Sequence, residues 1–175
     1  MASHTYATAL TWFGSTGEGY GAYSRDHDVT AAPAEQTIGL SADPSFRGDA
    51  ARLNPEQLVV AAASSCQLLS FLAVAARAGL DVVAYDDDAT AVMDLAADPP
   101  RLTSIDLHPV VTIASHDVDR ATALLAQAHQ QCYIANSLPP PVPLPPTPPQ
   151  HVDSPTRRFG LGSGFVASPN ARLNP

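Results

Sequence analysis

Residues 5–12 alternate Tyr6, Thr8, Leu10 and Trp12 against smaller or polar neighbours, a period of two that predicts a strand. A glycine-rich stretch, GSTGEGYG at 14–21, leads to a second extended run through Tyr23, Arg25 and His27, so the two read as a hairpin. A third short strand is expected at 37–40, followed by ADPSFRGDAAR, a loop full of turn residues. The period then changes. Asn54 can cap a helix, Pro55 has the right φ and no donor to lose, and Glu56 sits by the positive end of the dipole. This helix is expected to run to about Ala78, ended by Gly79. Residues 80–94 and 101–114 read as two more strands joined by the turn AADPP. Asp117 caps a second helix whose apolar positions Val118, Ala121, Leu125 and Ala128 recur at three- and four-residue steps, and that stripe continues onto Cys132.

The first helix contains nineteen residues, 58–76, without a charge, so a membrane span has to be weighed. Ser64, Ser65, Gln67 and Ser70 dilute the apolarity, and no basic or aromatic flanks anchor the ends. A central helix buried on most sides is the expectation instead.

At 175 residues the chain has room for one ordinary domain. Composition divides it after Leu138. Eleven of the seventeen prolines fall in 139–175, opening with PPPVPLPPTPP, and the net charge changes from −10 over 1–138 to +2 beyond. A domain over 1–138 and a proline-rich, largely disordered tail over 139–175 are expected, the tail starting as a polyproline II rod. Neither nucleic acid nor membrane is a suitable partner for a chain of net charge −8 with no basic face. All nine positive side chains are arginine, and the absence of lysine removes Schiff-base chemistry and a Walker-type phosphate loop. The amino terminus has no basic region followed by an apolar core, so a reducing cytoplasm is the expected compartment.

In such a compartment two distant cysteines, Cys66 and Cys132, are either core thiols or a redox pair. A reactive thiol must be a thiolate, burial alone opposes that, and so a fixed cation is expected to approach. Before the tail the candidates are Arg25, Arg47, Arg52, Arg77, Arg101 and Arg120. Arg25, in YSRDH on a predicted strand, would need a carboxylate partner if it points inward, and Glu56 can be that carboxylate. Yet Glu56 and Cys66 lie ten residues apart on one helix, roughly 15 Å of rise and about 80° off the same face. If both serve one site, a second chain supplies the arginine and the glutamate. A short acidic run, Asp86, Asp87 and Asp88, lacks the glycine and terminal glutamate of a calcium loop and reads as a solvated edge.

The string NPEQLVVAAASSC, the later HQQCYIANSL and the earlier YSRDH together resemble the OsmC/Ohr family of organic hydroperoxide reductases over residues 4–138. The family's Asn-Pro-Glu followed by a cysteine matches Asn54, Pro55, Glu56 and Cys66, and its resolving cysteine matches Cys132. Its arginine matches Arg25, ahead of Asp26, with Arg47 as the alternative. The resemblance implies an α+β fold in which antiparallel sheets wrap two long central helices in an intertwined homodimer, with thiol sites at the subunit interface. It further implies that Arg25, held by Glu56, keeps Cys66 as thiolate, and that Cys66 reduces an organic hydroperoxide to an alcohol. The resulting sulfenic acid would condense with Cys132, and an external dithiol, of lipoyl type in this family, would restore both thiols. No cofactor is implied.

Two departures stand out. After Cys132 the family continues into a last strand, whereas ANSL here runs into prolines that cannot donate to a ladder, so an edge strand is expected to be missing. Residue 67 is Gln where Ohr-type members favour Phe, which implies a more polar pocket. The rival readings are a non-catalytic dimer of the same fold binding a small apolar ligand, and a metal site from Cys66, Cys132, His116 and His129. The second lacks both CxxC and HxxxH spacing, and His129 reads as a surface or cap residue near a helix end.

Overall fold

The computed structural model describes residues 3–144 and 150–151. It is an α+β structure of antiparallel strands and two helices. Strands β1 (Ala9–Thr11), β2 (His27–Thr30) and β3 (Thr37–Leu40) form one antiparallel sheet in the order β1-β2-β3. The hairpin is therefore as expected, but its return strand starts at His27, and Arg25 lies in the long loop before it.

Helix α1 (Pro55–Arg77) begins where the sequence places it. Asn54 Oδ1 accepts from the Gln57 amide at 2.8 Å and Gln57 Oε1 accepts from the Asn54 amide at 3.0 Å, a reciprocal capping box with Pro55 in the first turn. At the other end Gly79 takes φ +67°, and the amides of Gly79 and Leu80 bond back to the carbonyls of Ala76 and Ala75. That is a Schellman closure, with the buried Leu80 just beyond it.

The two long strands expected after α1 are each divided. β4 (Val82–Asp87) pairs with β7 (Pro109–Ile113), and β5 (Thr90–Asp94) pairs with β6 (Arg101–Asp106) in a separate two-stranded ladder. The break has a side-chain cause. Asp87 accepts the His108 amide at 2.7 Å through Oδ1 and the Ser64 hydroxyl at 2.5 Å through Oδ2, drawing two groups onto its carboxylate where the ladders separate. Asp87 is thus half-buried and bonded rather than a solvated edge residue.

Helix α2 (Val118–Gln130) is capped by Asp117, whose carboxylate accepts from the Arg120 amide at 3.2 Å. Its buried stripe is Ala121, Leu125 and Ala128, with Cys132 completely buried just past its end. α1 packs on α2 and β4, and the main core gathers Phe71, Val74, Ala75, Leu80, Val111, Ile113, Ala121 and Leu125. The sequence suggested a helix buried on most sides, and within one chain α1 is not. Only Ala63, Gln67, Phe71, Val74 and Ala75 are buried, while Leu69 is 63% and Leu72 38% exposed. The helix is long and apolar enough to cross a membrane, but one face is committed to α2 and β4.

Packing also continues beyond the expected boundary at Leu138. The carbonyls of Pro141 and Pro143 accept from the amides of Ile105 and Leu107 at 3.3 and 3.4 Å, and Val142 is buried in a second core cluster with Ala63, Ile105 and Leu107. Proline cannot donate to a ladder, but its carbonyl accepts, so this segment covers the edge of β6 without being a strand. A two-residue strand, β8 (Gln150–His151), lies parallel to β7. The rest of the expected rod and the glycine-rich end, 145–149 and 152–175, lie outside the described residues.

Candidate active site

Cys66 stands mid-way along α1, half-buried, and Cys132 follows α2, fully buried. The packing of α1 on α2 closes the 66 positions that separate them and leaves the two side chains hydrogen-bonded to each other, both as free cysteines. The Cys66 Sγ also accepts from the Ile134 amide at 3.5 Å. Burial pushes the Cys66 thiol up. Hydrogen bonds from Cys132, the Ile134 amide, the Ser70 hydroxyl and the Tyr133 amide outweigh it and hold the thiol below its ordinary value. Cys132 goes the other way, to about 11, through burial, the bond it gives Cys66 and the charge of that neighbour. The pair is polarised: a half-buried sulfur whose ionisation its hydrogen bonds favour and a buried one whose ionisation is opposed. Within one chain this is achieved by hydrogen bonds, and none of the groups acting on Cys66 is the cation that the sequence called for.

Ser70 sits one turn along α1, a spacing visible in the sequence. The Tyr133 and Ile134 amides could not have been found there, because only the turn after α2 aims them at the sulfur. Tyr85 was likewise passed over. Its hydroxyl is buried and has no hydrogen-bond partner among the described residues.

Arg25 is held elsewhere in the chain. Its guanidinium donates to the carbonyls of Tyr20 and Tyr23 and lies over both rings, 4.6 and 4.0 Å from their centroids. It faces a small recess of about 320 Å³ with Trp12, His27 and Pro55. The alternative, Arg47, occupies a left-handed position at φ +67° after the one-turn helix Pro44–Phe46, and its guanidinium reaches Gly21 in the same N-terminal loop. Both candidate cations therefore gather on one loop, away from the sulfurs of their own chain. Arg47 is followed by Gly48, where a Cβ would stand 1.6 Å from the Ala42 carbonyl oxygen, so that turn requires glycine.

Glu56, in the first turn of α1, lines a larger groove of about 820 Å³ that runs along the helix past Val60, Ser64 and Leu68 to Tyr85, Asp87 and Met93. Among the described residues no ion pair joins it to Arg25. Nor do three or more His, Cys, Asp or Glu side chains come together there as a metal site would need. His129, read as a surface or cap residue, instead bonds across to α1, its Nδ1 lying 3.0 Å from Gln67 Oε1.

The fold and the sulfur pair define an α+β dithiol protein, with two thiols of opposite tendency at the meeting of two helices. More particularly, the chain belongs to the OsmC family: the model described as OsmC-like protein matches residues 48–145. That match extends past Leu138, as the packing does. Among solved structures, an OsmC-like protein of unknown function from Vibrio cholerae is 26% identical, with a TM-score of 0.73, covering 86% of this chain and 100% of its own. An organic hydroperoxide resistance protein OsmC from Legionella pneumophila, 19% identical, superposes with a TM-score of 0.62 over 82% of this chain and 96% of its own. The organic hydroperoxide resistance protein OhrB of Bacillus subtilis, also 19% identical, gives 0.55 over 81% and 96%. No curated protein matches the sequence.

Proposed function

We propose that this chain is a cysteine-based peroxidase that reduces organic hydroperoxides in defence against oxidative stress. The observation that carries this reading is the polarised pair: Cys66 partly open and lowered, Cys132 buried, raised and in hydrogen-bond contact. Attack by the Cys66 thiolate on the outer peroxide oxygen breaks the O–O bond, leaves a sulfenic acid and releases an alkoxide that takes a proton to become the alcohol. Cys132 then attacks the Cys66 sulfur, hydroxide leaves as water, and the 66–132 disulfide forms before further oxidation. An external dithiol, of which a lipoyl group is one chemical class, returns both thiols by exchange. Relatives of the same fold are named for resistance to organic hydroperoxides.

The working unit in this proposal is a homodimer. One chain leaves Leu69, Leu72 and the β1–β3 sheet uncovered, with Leu10 at 62% exposure, and a second copy supplies the missing cover. The dimer also supplies Arg25, with Glu56 as its carboxylate, to a sulfur pair on which no cation acts among the described residues. The test is consumption of cumene hydroperoxide by the full chain with dihydrolipoamide or dithiothreitol. Rapid turnover, lost in Cys66→Ser, is expected. An equal rate in that variant overturns the proposal and leaves a ligand-binding member of the family with inert thiols.

A further inference from the structure

Gln67 is completely buried, yet it is a primary amide, and leaving it unpaired in that position would carry the full desolvation penalty of its polar atoms. Its pairing is specific. Nε2 donates to the Leu125 carbonyl at 3.4 Å, and Oε1 faces His129 Nδ1 at 3.0 Å. The first bond orients the amide, and the second then requires the proton of His129 to sit on Nδ1. Both partners belong to the second half of α2, so the amide ties that helix to α1 at one level. The level is that of the sulfurs. Gln67 adjoins Cys66 in the chain, and the Cys132 amide bonds to the carbonyl of His129 at 3.1 Å. A polar link thus runs from the backbone of one sulfur to the backbone of the other without touching either.

From this we infer that Gln67 and His129 form an interhelical clamp that positions Cys132 against Cys66 and so sets how readily the 66–132 disulfide closes. They are positioning residues, since neither meets the reacting atoms. The purpose given to the clamp rests on the proposed peroxidase cycle. Its physical effect does not, because closure can be driven without any peroxide. In glutathione buffers the Cys66 thiolate attacks oxidised glutathione and expels one glutathione thiolate. Cys132, losing its proton, then attacks the Cys66 sulfur and expels the second. The chain gives up two electrons and two protons, and glutathione disulfide becomes two glutathiones.

The experiment titrates the full chain through such buffers and reads the 66–132 disulfide by alkylation and mass. His129→Ala, at a half-buried position, and Gln67→Met, which keeps the length of the side chain and removes the amide, are each expected to shift the equilibrium about tenfold toward the dithiol. His129→Gln, which retains a donor, is expected to recover most of that shift. A merely structural role is separated by the double variant Gln67→Met with His129→Leu. Removing both polar partners should return the melting temperature close to that of the parent while the redox shift persists. A disulfide equilibrium unchanged in His129→Ala, or one that follows the melting temperature across the set, overturns the inference. A chain that shows the shift but consumes no peroxide would retain the clamp and lose the peroxidase reading.

Discussion

The two ends of the molecule are finished to different degrees. Between α1, α2, β4 and β7 the packing is tight: Phe71, Ile113, Ala121 and Cys132 are wholly buried, Asn54 and Asp117 cap the two helix starts, and Cys66 has its hydrogen bonds, although α1 leaves Leu69 and Leu72 exposed on its outer side. The β1–β3 sheet is the reverse. All three residues of β1 are exposed, and Arg25 is held by the carbonyls and rings of its own loop rather than by a carboxylate. One region carries the sulfur pair of the proposed site. The other carries Arg25, the cation that the proposed reaction assigns to that site, next to an exposed edge strand. The difference teaches where the proposed dimer would have to close, and three experiments press on it.

The largest effect is expected from Leu69→Glu, which places a charge where the second copy would seat. With about 3 kcal/mol or more per unpaired buried charge, entered twice by symmetry, the dimer should dissociate at micromolar concentration, measured by sedimentation, and peroxide turnover should disappear. A variant that stays dimeric and active would break the comparison, since α1 would then be bare by nature.

Arg25→Ala should lower turnover by about a hundredfold, the usual loss when a stabilising donor is removed from an active site. Mixing the weakened Arg25→Ala with inactive Cys66→Ser is the sharper form. If the cation crosses between copies, a mixed dimer joins an intact Cys66 to an intact Arg25, and activity returns on mixing. No recovery would place the arginine within its own chain.

The smallest effect concerns the sulfurs themselves. A thiol lowered in the folded chain reaches its thiolate plateau at a lower pH than free cysteine. Alkylation of Cys66 should therefore level off below the ordinary thiol range, while Cys132, raised to about 11, reacts only at strongly alkaline pH. Cys132→Ala removes the hydrogen bond that lowers Cys66 and should move that plateau up. A Cys66 profile indifferent to Cys132 would mean that the pair is not coupled in solution.

Features governed by neighbours in sequence were legible without the fold. Asn54, Pro55 and Gln57 start α1 through bonds three residues long, Gly79 ends it, and the four- and three-residue steps from Ala121 carry the buried stripe to Cys132. The division of the strands was not legible, because Asp87 recruits an amide 21 residues away and a hydroxyl 23 residues back. The packing of the proline segment was not legible for another reason. Its lack of donors is written in the residue type, whereas the use of its carbonyls depends on β6 offering amides at the right height. Gln67 was noticed as a departure and His129 as a cap, but their meeting spans 62 positions and no local pattern announces it.

By itself, then, the sequence determined where the helices begin and end, that one thiol would stand within the first helix and the other at the end of the second helix's buried stripe, and that any fixed cation near them must be an arginine. These follow from local hydrogen bonding, side-chain periodicity and an alphabet without lysine. Which thiol would ionise, and what holds it, was decided only when α1 met α2. Proton affinity depends on burial and on donors within a few ångströms, and those donors come from parts of the chain that no run of sequence brings together.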